Sequence, residues 1–265
     1  MLTYEQIQHY RTFGFVILRG FITTSNAEAL ASELHTALDN AHGHTHPGRW
    51  LPAMTTATPM SAALVADDAR LWQASQELLG DYTIPCPAAV AHLSGGGAWH
   101  YDDGIGVVGV RFSAYPDHDY RTGGCLHLLP LSHTTEAEGL RAYVVSHAGG
   151  GLTESAGDFP GFMAQTSPGD VIAFDLHTWH AFRGDCERLL WTVDYVAQPV
   201  GPAPDLVHRK SLVRTWLADA GEPPAGDYDH EAWPVWRDWV ANPDANENRS
   251  TAIIRLKVAG AFDVV

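Results

Sequence analysis

A series of short apolar runs between about residues 84 and 197 is the feature that most constrains the fold of this chain. Clusters of glycine, proline, aspartate and asparagine separate the runs. Short strands at such spacing are typical of a sandwich or a barrel, and the lack of long helices between them disfavours βαβ units. We therefore predict a mainly β core whose strands cover residues 88–93, 107–115, 125–129, 141–145, 171–174, 178–182 and 189–196.

The segment that precedes this core has clear helical signals. Thr3 and Gln6 fit a capping box, which predicts a helix that begins directly after Thr3. Gly14 suits the left-handed residue that commonly ends a helix, and a buried strand over residues 15–18 is predicted to follow it.

A second and a third helix are predicted before the strands begin. Ser25 and Glu28 fit another capping box, and a stripe with a spacing of four residues follows, formed by Leu30, Leu34 and Leu38. This helix should end before a loop over residues 42–48, whose histidines His42, His44 and His46 are interpreted as exposed loop residues. The third helix is predicted over residues 66–79, ending at Gly80.

Helical patterns return after Pro199, over residues 206–218 and in a tryptophan-rich segment over residues 233–239. The three tryptophans of that segment have a spacing of three, which indicates packing on one helix face. The chain shows neither an internal repeat nor a linker. We predict a single domain over residues 1–265, with a helical N-terminal part (1–83), a core (about 84–197) and a C-terminal extension (198–265).

The composition limits the partners and the compartment. With a formal net charge of -15 and no basic run, the chain is not expected to bind nucleic acid or a membrane. Three cysteines without CxxC spacing, Cys86, Cys125 and Cys186, argue against a disulfide framework and fit a reducing compartment. The start is a polar helix and no apolar run approaches the length of a membrane span. We expect a cytoplasmic protein, monomeric or homodimeric, that acts on a small molecule.

His100 and Asp102 have the spacing of a pair of metal ligands. Two residues that lie two apart on an extended strand point to the same face, as chelation requires. Together with a second imidazole from a distant strand, they match the facial triad of a non-haem Fe(II) oxygenase, which leaves coordination positions open. Asp103 is the rival carboxylate, but its spacing from His100 would place the two side chains on opposite faces.

The second imidazole is predicted to come from His180, with His177 as its competitor. The two histidines are three apart, so at most one of them can face a metal from an extended strand. Arg188 follows His180 in a strand rich in leucine, tryptophan and valine. Its guanidinium group is always charged and can donate two parallel hydrogen bonds, which suits the carboxylate of an organic co-substrate. Arg183 is the alternative residue for this contact.

Three blocks of sequence around these residues resemble the phytanoyl-CoA dioxygenase family of Fe(II)/2-oxoglutarate oxygenases. The blocks cover residues 99–104, residues 109–133, and residues 168–182 together with Arg188. The opening over residues 4–22 is also similar to the start of that family, so the resemblance spans about residues 1–197. In the turn that ends at His133, Leu131 stands where the family usually has glycine.

The resemblance implies a double-stranded β-helix, that is a cupin-like jelly roll, with flanking N- and C-terminal helices. It implies that His100, Asp102 and His180 bind Fe(II), and that Arg188 pairs with the distal carboxylate of 2-oxoglutarate. Many members have a serine two positions after the distal histidine, where this chain has Phe182. Thr192, on the strand of Arg188, is a candidate for the missing second contact.

The expected reaction is hydroxylation of an unactivated C–H bond of a small molecule, in which 2-oxoglutarate and O2 are converted to succinate and CO2. Desaturation, epimerisation and ring formation use the same cofactor chemistry and are alternative outcomes. Two other readings are a cupin-type dioxygenase that needs no 2-oxoglutarate and a non-catalytic binding jelly roll. Three further residues, Arg111, Tyr115 and Arg121, are candidates for substrate contact that sequence alone does not place.

Overall fold

Two antiparallel sheets form the centre of the structure, which is a computed structural model. It describes residues 1–43, 49–54, 57–86, 88–102, 108–119, 125–134, 138–147, 161–197 and 246–258. The helices in this part of the chain are α1 (Tyr4–Phe13), α2 (Thr24–His42), α3 (Pro59–Ala62), α4 (Ala69–Leu79), α5 (Glu138–His147) and α6 (Glu247–Val258). The strands are β1 (Phe15–Leu18), β2 (Arg49–Pro52), β3 (Thr83–Pro85), β4 (Ala89–Leu93), β5 (Gly109–Ala114), β6 (Cys125–Leu128), β7 (Phe162–Ala164), β8 (Val171–Asp175), β9 (His180–Arg183) and β10 (Arg188–Ala197).

The larger sheet has the strand order β1-β8-β5-β10-β4-β2, with β3 paired to one end of β10. The smaller sheet has the order β7-β6-β9. All strand pairs within the two sheets are antiparallel. This mainly β architecture with flanking helices confirms the predicted jelly-roll fold class.

The side chains of the long strand β10 point alternately to the two faces of the larger sheet. Leu189, Trp191 and Val193 belong to an apolar cluster shared with the helices, which therefore cover the outer face. Because successive side chains of a strand alternate, Arg188, Thr192 and the residues in step with them face the interior. A second cluster contains residues from both sheets, among them Phe15, Phe174, Leu126 and Phe182, so the two inner faces pack against each other.

The first helix and strand have the boundaries that local sequence signals predict. Thr3 accepts a hydrogen bond from the Gln6 backbone and the Gln6 side chain accepts one from Thr3, which confirms the capping box. Gly14 ends the helix with φ 86°. The leucine stripe of α2 is also confirmed, since Leu30, Leu34 and Leu38 are fully buried.

Two predicted helix starts were wrong. The N-cap of α2 is Thr23, whose hydroxyl accepts from the Asn26 backbone, so Ser25 lies inside the first turn instead of capping it. The predicted third helix is interrupted at Asp68, where the backbone is extended and the side chain caps α4. Before that break the chain forms a π-helical turn, Ala63–Asp67. In each case a nearby hydroxyl or carboxylate that satisfies the free N–H groups decides where the helix begins.

The strand predicted over residues 141–145 was also wrong, because this segment lies within α5. A short apolar run does not by itself distinguish a strand from a helix, and here tertiary packing decides. Leu140 of this helix packs against a cluster formed by Trp99, Leu129, Trp179 and Ala181. The short strands β2, β3 and β7 were not predicted, and β9 begins two residues later than expected.

The last described segment, α6, packs against the N-terminal helical part. Ala252, Ile253 and Leu256 are buried in the same cluster as the other helices. Arg249 forms an ion pair with Asp67, and Arg255 donates to the Thr83 carbonyl. The helix predicted over residues 206–218 and the tryptophan-rich segment lie outside the described residues, so the single-domain organisation stays a prediction. In the described part of the chain, no helix combines the length and apolar character that crossing a lipid bilayer needs.

Leu131 shows why its family-like turn usually has glycine. With φ 69°, it is the one non-glycine residue in the described part of the chain that has a positive φ. An L-residue in this left-handed region brings its Cβ close to the following carbonyl, at a cost of roughly 1–2 kcal/mol. The turn is kept by backbone hydrogen bonds, including one from the Leu131 N–H to the Phe13 carbonyl (3.1 Å).

Replacing Gly14 by alanine is expected to destabilise the fold by about 2–5 kcal/mol, which combines left-handed strain with overpacking. An added Cβ would lie 2.5 Å from His133 Nδ1 and 2.6 Å from Thr178 Oγ1. Gly20→Ala is the matched control, because Gly20 also has a positive φ (59°) but its Cβ would meet nothing within 4 Å. Urea unfolding of both variants measures the difference, and equal losses would contradict the proposed crowding at Gly14.

Candidate metal centre

His100 and His180 are joined by their backbones. The His100 N–H donates to the His180 carbonyl (3.0 Å), and the His180 N–H donates to the His100 carbonyl (2.8 Å). Two residues further, the Asp102 N–H donates to the Leu176 carbonyl (3.0 Å). The segment from His100 to Asp102 is therefore hydrogen-bonded to His180 and to Leu176 and is not a full strand, but it brings the two side chains to one site.

The three predicted ligands meet at one point. His100 Nε2 lies 3.8 Å from Asp102 Oδ1, and His180 Nε2 lies 3.5 Å from Asp102 Oδ2. One donor atom from each of the three residues lies within 4.8 Å of the others. His180 is buried and Asp102 is nearly so, whereas His100 is about half exposed, so solvent reaches the group on the His100 side.

Both imidazoles turn their Nε2 atom towards Asp102. His100 Nδ1 lies 2.8 Å from the Ala98 carbonyl and His180 Nδ1 lies 2.9 Å from the Thr178 carbonyl. A carbonyl only accepts hydrogen bonds, so each Nδ1 carries a proton, and in the neutral ring Nε2 is the atom with the free lone pair. Burial lowers the pKa of His180 to about 4, with the Asp102 carboxylate opposing the shift, so this ring is neutral at pH 7.

The donor set fits a divalent cation. Two imidazole Nε2 atoms and a carboxylate face one another, an arrangement that a cation would stabilise. Asp102 Oδ2 is buried and accepts no hydrogen bond. Imidazole nitrogen and carboxylate oxygen without thiolate are the ligand types of non-haem Fe(II) sites. His100, Asp102 and His180 can therefore hold such an ion and leave coordination positions open.

Arg111 is a charged neighbour of this group that sequence reasoning did not place. It lies on the inner face of β5, and its Nη1 is 2.8 Å from Asp102 Oδ2, an ion pair without hydrogen-bond alignment. Its Nε and Nη2 donate to the two carboxylate oxygens of Asp194 on β10, at 2.7 and 3.0 Å. Burial opposes the charge of Arg111, but the two carboxylates outweigh it and raise its pKa above the ordinary value.

Aromatic rings pack close to the three candidate ligands. The His180 ring lies 4.8 Å from the Phe174 ring on the inner side. Tyr101 lies between His100 and Asp102 in the sequence, and its ring lies 5.4 Å from that of Trp179. The Phe174 ring packed in this way restricts the rotation of the His180 ring.

Arg188 faces the interior on the side of β9 that carries His180. Its guanidinium lies 3.7 Å above the centre of the Phe182 ring, and its Nη1 donates to the Gly95 carbonyl (2.6 Å). Phe182 is two residues from His180, so their side chains share one face of β9. Tyr115 is close by: burial raises the pKa of its phenol, and the charge of Arg188 opposes this shift.

Thr192 and Phe182 occupy different places with respect to Arg188. Thr192 is four residues from Arg188 on β10, on the same inner face, and its backbone pairs with Ser113 and Ala89. Phe182 takes the position where the family-like pattern has a serine, and it provides a ring beneath the guanidinium instead of a hydroxyl. A contact from Thr192 to a co-substrate stays a prediction.

The competing residues lie away from the centre or outside the described residues. His177 is in the turn before β9, where its Nδ1 lies 3.0 Å from Asp175 Oδ1. Arg183 is the last residue of β9, and its side chain points to the opposite face from that of Phe182. Its positive charge helps to lower the pKa of His127. His42 contacts the Trp50 carbonyl, and His133 the Arg11 carbonyl. Several other candidates lie outside the described residues, namely Asp103, His44, His46, Arg121, Trp233, Trp236 and Trp239.

Solved structures share this fold. No family model and no curated protein matches the chain. HygX from Streptomyces hygroscopicus, crystallised with nickel and 2-oxoglutarate, superposes with a TM-score of 0.63 and 20% identity, over 77% of this chain and 94% of its own. SnoN, a non-heme alpha ketoglutarate dependent epimerase from nogalamycin biosynthesis, has a TM-score of 0.56 and 16% identity, over 75% and 84% of the two chains. SnoK, a non-heme alpha ketoglutarate dependent carbocyclase from nogalamycin biosynthesis, has a TM-score of 0.57 and 15% identity, over 74% of this chain and 84% of its own.

Proposed function

We propose that this chain is an Fe(II)- and 2-oxoglutarate-dependent oxygenase that oxidises a small molecule. One observation carries the proposal, namely that two imidazoles and a carboxylate without a hydrogen bond on its buried Oδ2 converge within 4.8 Å. The fold is one on which HygX has been crystallised with iron and with nickel and 2-oxoglutarate. The finer assignment to the phytanoyl-CoA dioxygenase family rests on the three sequence blocks around these residues.

His100, Asp102 and His180 are proposed to hold the metal. When bound, the metal and 2-oxoglutarate supply the oxidising chemistry, in which O2 is consumed and succinate and CO2 are released. The protein positions these groups. The backbone bridge between His100 and His180 fixes the two imidazoles, and the apolar cluster that includes Phe174 and Phe182 keeps water from the inner side of the centre.

Arg188 is proposed to bind the distal carboxylate of 2-oxoglutarate. Its guanidinium is buried, stacked on Phe182 and oriented by the Gly95 carbonyl. A planar fork held in this way is already oriented for a bidentate contact with a carboxylate. This residue favours the 2-oxoglutarate-dependent reading over a cupin-type dioxygenase, since that class has no co-substrate carboxylate to bind.

We propose hydroxylation of an unactivated C–H bond as the outcome, with epimerisation or ring formation as the second candidate. The second candidate is kept because SnoN is an epimerase and SnoK a carbocyclase on the same fold. HygX has also been crystallised with hygromycin B, which supports a small-molecule substrate in this case too. A cytoplasmic location and a monomeric or homodimeric state are part of the same proposal.

The test is turnover without substrate. Anaerobic protein with Fe(II) and 2-oxoglutarate is expected to develop a weak visible charge-transfer band, and to form succinate slowly when O2 is admitted. Asp102→Ala should remove both signals. Asp117→Ala is the matched control, because Asp117 pairs with His35 and takes no part in the centre.

Two results would decide against the proposal. Well-folded wild-type protein without band and without succinate would favour a non-catalytic binding jelly roll or another metal. Succinate formation that Asp102→Ala leaves unchanged would mean that the ligand set is wrong.

A further inference from the structure

Arg111 is an unusual neighbour for a cation site. Its guanidinium is 2.8 Å from a ligand carboxylate oxygen and only 17% exposed, so its charge is weakly screened by solvent. A positive charge at this place repels a bound metal ion. A centre that needed only to hold a metal would therefore bind it more tightly without Arg111.

Asp194 holds the positive charge of Arg111 in place beside the centre. It binds the fork of Arg111 through both carboxylate oxygens and is itself buried. The two residues lie directly opposite each other in the pairing of β5 with β10. The sheet thus places Asp194 and Arg111 side by side, and Arg111 reaches Asp102 outside the sheet, so that one cation and two carboxylates form a single row that ends at the proposed metal ligands.

The formal charges of this row have a simple consequence. Asp102, Asp194 and Arg111 together have one negative charge, and a histidine that binds a metal ion does so as the neutral imidazole. A divalent ion brings the loaded centre to one positive charge, which matches the single negative charge on the chelating end of a 2-oxo acid. Without Arg111 the loaded centre would be neutral and would attract that anion less.

We propose that Arg111, balanced by Asp194, keeps the loaded centre one charge positive and thereby selects an anionic chelating co-substrate. The inference rests on the proposed function, and it assigns to Arg111 and Asp194 a role in co-substrate affinity that is separate from metal ligation. Metal affinity is lowered and co-substrate affinity is raised by the same guanidinium. The two affinities should therefore change in opposite directions when the charges of this row change.

The experiment is a charge series with two binding measurements. Apo protein is titrated with Ni(II) by calorimetry, and the Ni(II)-loaded protein is then titrated with 2-oxoglutarate. Arg111→Gln makes the loaded centre neutral, Asp194→Asn makes it doubly positive, and the double variant restores the wild-type charge. Arg111→Lys keeps the charge without the fork.

The 2-oxoglutarate affinity is expected to rise with the net positive charge of the Ni(II)-loaded centre. Arg111→Gln should weaken it by on the order of tenfold, and Asp194→Asn should leave it equal or tighter. The double variant and Arg111→Lys should stay within about threefold of wild type, which no merely structural role would predict. Ni(II) affinity should show the reverse order, with Arg111→Gln the tightest.

The possible failures are distinguishable. If wild-type protein binds Ni(II) but no 2-oxoglutarate, the proposed function fails and this inference fails with it. If wild type binds both and the series is flat, or both affinities fall together with thermal stability, only the inference on Arg111 is overturned. Should Arg111→Gln not fold, Asp194→Asn still decides, because its doubly positive loaded centre should bind Ni(II) more weakly than wild type does, and an unchanged Ni(II) affinity would overturn the inference.

Discussion

Replacing His180 by alanine is expected to abolish turnover while the protein keeps its fold. His180 is buried, neutral and oriented by the Thr178 carbonyl, so its Nε2 has no substitute at the centre. If His180 is a direct ligand as proposed, its loss should exceed the roughly 10–100-fold cost that is typical for outer partners of metal ligands. Succinate formation with Fe(II) and 2-oxoglutarate measures turnover, and circular dichroism measures the fold.

His177→Ala is the matched control for this variant. His177 lies three residues away and its ring nitrogen is bound to Asp175, so its removal should leave turnover substantial. The reverse result, an inactive His177 variant and an active His180 variant, would move the third ligand to His177 and reject the site as described.

Replacing Arg188 by glutamine is expected to weaken 2-oxoglutarate binding by about a hundredfold, since losing one partner of a buried charge pair costs roughly 2–5 kcal/mol. The glutamine retains much of the side-chain length but neither the charge nor the fork. Its effect should appear as a higher KM for 2-oxoglutarate, with the Fe(II) affinity little changed. Titration of the charge-transfer band measures this directly.

Arg183→Gln provides the comparison, because Arg183 is on the opposite face of the same strand and points away from His180. Its variant should keep the wild-type KM for 2-oxoglutarate. If Arg188→Gln has no effect, the protein needs no 2-oxoglutarate, and the cupin-type reading becomes the better one. If Arg183→Gln is the damaged variant, the anchor is Arg183.

The residues of the centre could be predicted because their evidence is local. A spacing of two between His100 and Asp102 constrains both side chains to one face of any extended segment, whatever the rest of the fold does. The capping box at Thr3 and the left-handed Gly14 are equally local, and both are confirmed. Each of these depends on a few neighbouring residues whose backbone geometry is nearly fixed by their chemistry.

Arg111 could not be placed in this way, because its partners are distant in the sequence. Asp194 is opposite Arg111 only through the register of β5 with β10, and no local pattern specifies that register. One signal was present, since Arg111 lies within an apolar strand, which was also the argument for Arg188. The same limitation applies to the error over residues 141–145, since the helix that contains them packs through Leu140 against residues that are distant in the sequence, such as Trp99.

The backbone bridge between His100 and His180 has a consequence for how an ion enters and leaves. The two N–H···O bonds and the contact of Tyr101 with Trp179 hold the ligand-bearing segments together through protein atoms alone. The binding energy of the ion is then not needed to assemble the site, in contrast to small metal-folded domains that unfold when a chelator removes their metal. We expect the emptied protein to remain folded and to accept a different divalent ion, so that exchange between ions is limited by access on the solvent-exposed side of His100.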